Sequence, residues 1–218
     1  DELQQAGGNY IRNNMSDRPV KGHEAYAYAK LANGKYDLDK WNEEYWHRFE
    51  NLLRLTRERQ IFVQIEVWDR FDYTDAHDWN IWQESPWRPA NNVNYTGEQS
   101  GLAETYEDHP THDKQPFFHT VPGTEHYQRR YDVIREFQTR FVDKLLSHSL
   151  QYGHVLYCMD NETSSSPGWG KYWSNHITSR ASEARVSVQT TEMWDRDHSK
   201  PKIWEDELLR RTFHDANV

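Results

Sequence analysis

The apolar positions of this chain keep two alternating periods. Residues 1–7 read as the end of a helix stopped by Gly7-Gly8. Asn9 to Ser16 reads as a strand that turns polar at its end, and a loop with Pro19, Gly22 and Asn33-Gly34 follows. Leu38, Trp41, Tyr45, Phe49, Leu52 and Leu53 keep helical spacing and predict a helix over 38–60, capped by Asp37 or Asp39. Ile61 to Trp68 is a strand that ends at Asp69-Arg70. Tyr131, Ile134, Phe137, Phe141, Leu145 and Leu146 predict a second amphipathic helix from 125 to 151, stopped by Gly153. A strand over 154–160, a helix near 168–183, a strand from Arg185 to Glu192 and a helix over 203–214 complete the order.

Strands alternating with helices imply a parallel sheet with right-handed crossovers. An open doubly wound sheet would bring a Gly-rich phosphate loop after an early strand. Here Gly7-Gly8 precedes a strand instead. Several strands end in polar or charged residues, as they do where barrel strands converge on one face. The expected fold is therefore α/β: part of a (β/α)8 barrel with about four parallel strand–helix units, strands two to five. A full barrel takes about 250 residues, so residues 1–218 are expected to form a single incomplete barrel domain, with at least one strand before it and about three after it. A smaller natural four-stranded fold is the alternative.

Between 70 and 125 the periodicity is lost. This stretch holds Pro86, Pro89, Pro110, Pro116 and Pro122 among many aromatics. Its aromatic content argues against disorder and for a substrate-side excursion. The chain has ten Trp and thirteen Tyr. Trp79, Trp82, Trp87 and Trp169 lie in polar surroundings, either anchoring loops or offering flat faces to hydroxyl-rich ligands. The formal charge of −9 disfavours a nucleic-acid partner. No apolar stretch approaches the roughly 20 residues that span a bilayer, so no membrane partner is expected. The lone Cys158 sits in an apolar run as a small buried thiol.

The strand over 154–160 stops abruptly at Asp160-Asn161-Glu162, and turn formers Thr163 to Gly168 follow. A rigid strand thus delivers an amide and a carboxylate to an open loop. This pattern resembles the clan A glycoside hydrolases, the cellulase-like barrels. In that clan the fourth strand ends in Asn-Glu. The resemblance implies that Glu162 is the general acid/base and that Asn161 hydrogen-bonds a sugar 2-hydroxyl. It places the family's second-strand Arg at Arg12, within Tyr-Ile-Arg-Asn-Asn. Glu66, Trp68 and Asp69 take the end of the third strand, where the His often found in the family is absent. The family's nucleophile is a Glu on the seventh strand, which this chain is not expected to reach.

The expected activity is cleavage of O-glycosidic bonds in a poly- or oligosaccharide with retention of configuration. Retention requires two carboxyl groups about 5–5.5 Å apart. Glu162 is the expected catalytic residue. Asn161, Arg12, Trp68, Asp69, Glu192 and Trp194 are the expected substrate-binding residues. Core packing serves Trp68 and Trp194 equally well, and a loop cap serves Asp69 equally well. Asn161 and Glu162 can share one site only if the strand end is irregular, because adjacent strand residues point to opposite faces. No cofactor and no metal are expected. His109-Pro110-Thr111-His112 lacks strand-borne partners for a catalytic metal, and no Gly-x-Ser-x-Gly elbow occurs. Two rivals compete: a barrel that binds carbohydrate without cleaving it, and a metal-dependent barrel hydrolase. Polymer degradation favours a secreted or periplasmic location.

Overall fold

The computed structural model describes residues 2–15, 25–76 and 81–193. Trp79, Trp194 and the predicted helix over 203–214 lie outside the described residues. Helix α1 (Glu2–Gln5) turns at Gly7, whose φ of 80° belongs to the left-handed region that glycine adopts without strain. The chain then enters β1 (Tyr10–Asn14).

The next two elements were not expected. Strands β2 (Tyr28–Lys30) and β3 (Tyr36–Trp41) form an antiparallel hairpin. Its turn uses Gly34 at φ 82° and the Asn33 side chain, which accepts from the Lys35 N–H at 3.0 Å. Leu38 and Trp41 therefore belong to a strand and not to the helix predicted over 38–60. That helix, α2 (Glu43–Glu58), is capped by Asn42, whose side chain accepts from the Glu44 N–H. The predicted caps Asp37 and Asp39 lie in β3.

Strand β4 (Phe62–Asp69) follows. The excursion after it carries α3 (Ile81–Glu84), α4 (Gly97–Ser100) and several 3-10 turns, including Arg70–Tyr73, Pro110–His112 and Pro116–Phe118. Helix α5 (Asp132–Ser149), strand β5 (Val155–Asn161), helix α6 (Pro167–Glu183) and strand β6 (Gln189–Thr191) complete the described chain. The last strand is shorter than the expected Arg185–Glu192. The main sheet runs β1-β4-β5-β6 with every pairing parallel, and its register sets Asn14 beside Glu66, Asp69 beside Asn161 and Cys158 beside Thr191.

One face of the sheet carries the core. Val63, Ile65, Val67, Val155, Tyr157 and Met159 pack under Trp46, Phe49 and Leu53 of α2, the Ile134–Leu146 stripe of α5, and Trp169, Trp173 and Ile177 of α6. The aromatics of the excursion join this core. Trp82, Trp87, Phe117, Phe118 and Trp169 are all buried. Trp87 meets Tyr28 of the hairpin at 5.5 Å and Phe117 at 5.1 Å. Asn92 pins the backbone of this stretch: its amide donates to the carbonyls of Pro86 and Arg88, and its oxygen accepts from the N–H groups of Asn94 and Tyr95. Trp82, Trp87 and Trp169 thus anchor the loops, the first of the two roles the sequence left open, because folding brings other aromatic rings against each of them. Among the described residues, no helix is long and apolar enough to cross a membrane.

Candidate active site

The carboxyl ends of β1, β4 and β5 lie side by side, and their polar termini interlock. Arg12 on β1 pairs through Nε with the buried Glu66 on β4. Its Nη2 donates to Asn161 Oδ1 at 2.9 Å and reaches Met193 Sδ at 3.3 Å. Asn161 Nδ2 in turn donates to Asp69 Oδ1 at 3.3 Å, and Asn14 donates to Asp69 Oδ2. Asp69 also caps the 3-10 turn after β4 by accepting from the Phe71 N–H at 3.0 Å. The amide of Asn161 is therefore fixed in one orientation, with an N–H and a lone pair still open to a ligand.

This cluster requires an irregular strand end. Glu66 and Asp69 both serve it, yet residues three apart on an ideal strand face opposite ways. Between them, Trp68 turns to the helical side and packs on Phe141 at 5.1 Å and Trp173 at 5.7 Å. The alternation thus breaks within Glu66–Asp69. It breaks again after Asn161, because Glu162 has φ 51°, a left-handed conformation uncommon outside glycine. Strain of this kind costs on the order of 1–2 kcal/mol and is held only where neighbours enforce it. The bond from the Thr163 N–H to the Met193 carbonyl, at 2.6 Å, supplies part of that enforcement. Glu162 is exposed, and its carboxylate has no hydrogen-bond or ion-pair partner among the described residues.

Behind Glu162 lies a buried charge cluster that sequence reasoning missed. Arg70, the first residue of the 3-10 turn, donates through Nε to Asp160 Oδ2 at 2.9 Å, and its backbone N–H reaches Asp160 Oδ1 at 3.2 Å. Glu192 Oε1 accepts the backbone N–H of Asp160 at 3.0 Å. Burial pushes the Asp160 carboxyl up to about 7, against the pull of the Arg70 guanidinium. Burial, reinforced by the charge of Asp160, raises Glu192 well above the usual carboxylate range. Burial likewise raises the thiol of Cys158, which sits on β5 with its sulfur directed at the Asp160 carbonyl.

Both carboxyls bind a proton more tightly in the folded state than in the unfolded chain. Their contribution to stability is therefore fully present below their ordinary pKa values, at about pH 4, and is lost as pH rises through the folded-state values, about 7 for Asp160. Thermal melts of the parent and Glu192→Gln between about pH 5 and pH 8 test this. The parent should lose stability as pH rises, and the variant should show a shallower fall. Parallel pH dependences would contradict the assignment.

Arg12, Asp69 and Asn161 are thus brought together, with Asn14 and Glu66 completing their network. The polar end of β1 was the signal for Asn14. Two expectations are corrected. Trp68 is 3 % exposed and forms part of the aromatic core, so it offers no face to a sugar. Glu192 is 1 % exposed and accepts a backbone N–H, so its place in a substrate subsite is not supported. Trp194 lies outside the described residues. His109 caps its own 3-10 turn at the Thr111 N–H, and His112 lies 3.4 Å from Asp108. Among the described residues, no group of three or more His, Cys, Asp and Glu is placed to hold a metal ion.

Comparison with known proteins gives a fold and a family. The chain is similar to the crystal structure of a glycoside hydrolase family 5 mannosidase from Rhizomucor miehei, a glutamate-to-alanine mutant in complex with mannosyl-fructose, with a TM-score of 0.56 at 10% identity, covering 97% of this chain and 48% of that one. A second structure of that mannosidase gives a TM-score of 0.54 at 11% identity, covering 94% and 46%. Another glutamate-to-alanine mutant of it gives 0.52 at 11% identity, again covering 94% and 46%. The chain spans about half the length of the solved structures it matches. At these identities the likeness shows the fold: parallel strands and helices that correspond to part of a (β/α)8 barrel. No curated protein matches the chain. A family model described as a domain of unknown function, DUF6298, matches residues 18–197, and the chain belongs to that family.

Proposed function

We propose that the protein is a retaining glycoside hydrolase acting on a poly- or oligosaccharide, with Glu162 as its general acid/base. One observation carries this reading. An exposed carboxylate without a partner among the described residues follows directly on an asparagine that Arg12 and Asp69 hold rigidly, at the carboxyl end of a parallel strand. Glu162 protonates the leaving glycosidic oxygen and then takes a proton from the water that releases the sugar. Asn161 offers its remaining amide N–H and lone pair to the 2-hydroxyl, whose hydrogen bonds strengthen in the transition state. Arg12 and Asp69 act through Asn161 by holding its amide in place.

The nucleophile is a second carboxylate from outside the described residues. Glu192 does not take this role, because it is buried and engaged with the backbone of Asp160. The fold likeness to a mannosidase makes mannosides the first substrates to try.

The intact protein would be incubated with para-nitrophenyl mannosides, glucosides, galactosides and xylosides of both anomers. The sugar first released would be read by proton NMR before it mutarotates. The reading predicts that one series is cleaved and that the product keeps the anomeric configuration of the substrate. A product of inverted configuration would exclude the double displacement through a glycosyl–enzyme intermediate, and no hydrolysis across aryl glycosides and polysaccharides would remove the glycosidase assignment.

A further inference from the structure

We propose that Arg70 is a positioning residue for Glu162, its buried guanidinium holding the three consecutive hydroxyl residues that follow Glu162. The inference rests on the acid/base reading of Glu162 and goes beyond it. Arg70 is 0 % exposed. A guanidinium carries five N–H donors in a fixed fork, and every one is used here. Nε bonds Asp160. Nη1 bonds the Pro110 carbonyl at 3.2 Å and Ser164 Oγ. Nη2 bonds Thr163 Oγ1 at 3.2 Å and Ser165 Oγ. Phe118 closes one face of the guanidinium plane at 4.7 Å, and Asp113 lies 3.6 Å from Nη1.

The consequence concerns the loop between β5 and α6. Thr163, Ser164 and Ser165 are buried, and Ser166 caps α6. Glu162 is the exposed residue of this loop. Its backbone is held on one side by the last pairing of β5 and on the other by three clamped residues. Held in this way, a carboxylate without a side-chain partner among the described residues keeps a defined place. The same guanidinium joins the loop to the excursion through Pro110 and Asp113, so both walls above the strand ends are referred to a single group. Catalytic groups need such support, since a displacement of about 1 Å can cost about 100-fold in rate.

The test measures kcat and KM on the aryl glycoside that the parent cleaves fastest. Arg70→Lys keeps a charge for Asp160 but cannot span the three hydroxyls. Ser164→Ala with Ser165→Ala keeps the Arg70–Asp160 pair and decides the matter if the lysine variant does not fold. The expected result is a fall in kcat of about 10- to 100-fold with KM within about twofold. In a Glu162→Gln background the same serine substitutions should change kcat by less than about twofold, because the group they position is already gone. A folded serine variant with kcat within about twofold of the parent would overturn the inference, as would an equal loss in both backgrounds. If Glu162→Gln alone leaves kcat unchanged, the acid/base reading fails and this inference falls with it. If Glu162→Gln abolishes turnover while the serine variant is normal, only the positioning role is lost.

Discussion

Glu162→Gln in the intact protein is expected to lower kcat by about 100- to 10,000-fold while leaving the thermal melt unchanged. The two halves of this expectation have separate causes. The carboxylate of Glu162 is exposed and unpaired among the described residues, so its loss removes no contact that supports the fold. Glutamine has the same shape and meets the same backbone demand at φ 51°. Glutamine, however, neither gives nor takes a proton. With a para-nitrophenyl leaving group, departure needs little acid assistance, and the first displacement survives. The second step, in which water must be deprotonated, slows. The variant should therefore release a burst of about one nitrophenolate per site and then turn over slowly. A fall in kcat with a lowered melting midpoint would point to a structural role for Glu162 instead.

Arg70→Met is expected to destabilise the fold by about 3–5 kcal/mol. The variant leaves Asp160 buried without its cation, beside a second buried carboxyl at Glu192. It also removes one donor from each of three hydroxyls and from the Pro110 carbonyl. The loss should shrink in acid, where Asp160 takes up a proton and needs no counter-ion. Arg180 provides the contrast. It binds Asp143 through two bonds of 2.9 and 2.8 Å, but its side chain is 41 % exposed. Arg180→Met should therefore cost less than about 1 kcal/mol. Urea denaturation of both variants separates burial from geometry. Equal losses would show that geometry alone decides the strength of these pairs.

The main sheet was legible because its crossover helices are strongly amphipathic. The stripe Ile134, Phe137, Phe141, Leu145 and Leu146 names the buried face of α5 residue by residue. The hairpin was missed because Leu38 and Trp41 suit a helical face as well as a strand, whereas Asn33-Gly34 between aromatic segments is the stronger local signal. The role of the loop aromatics stayed open in the sequence for a different reason. Trp87 packs on Tyr28 and Phe141, which are remote from it in sequence, and local polarity says nothing of such partners.

The candidate site divides in the same way. Asn161-Glu162 stands out in the sequence because strand ends collect polar residues where a barrel does its chemistry, and Arg12 was singled out by the resemblance to the clan A hydrolases. The left-handed turn at Glu162 has no sequence signal, since glutamate is not a residue that favours it. Arg70 was invisible because its hydroxyl partners lie 93 to 95 residues further along the chain. A bare arginine after a strand looks like any surface cation until folding encloses it.

The claim that Glu162 is the acid/base is tested most directly with Glu162→Ala and added azide. The anion needs no general base, so it attacks the glycosyl–enzyme intermediate, breaks the bond to the nucleophile's carboxylate and leaves as a glycosyl azide. The account predicts that azide accelerates turnover of the para-nitrophenyl glycoside by the variant and not by the parent. It also predicts a glycosyl azide of the same anomeric configuration as the substrate, identified by NMR. Turnover by Glu162→Ala that azide does not change, with free sugar as the sole product, would contradict it.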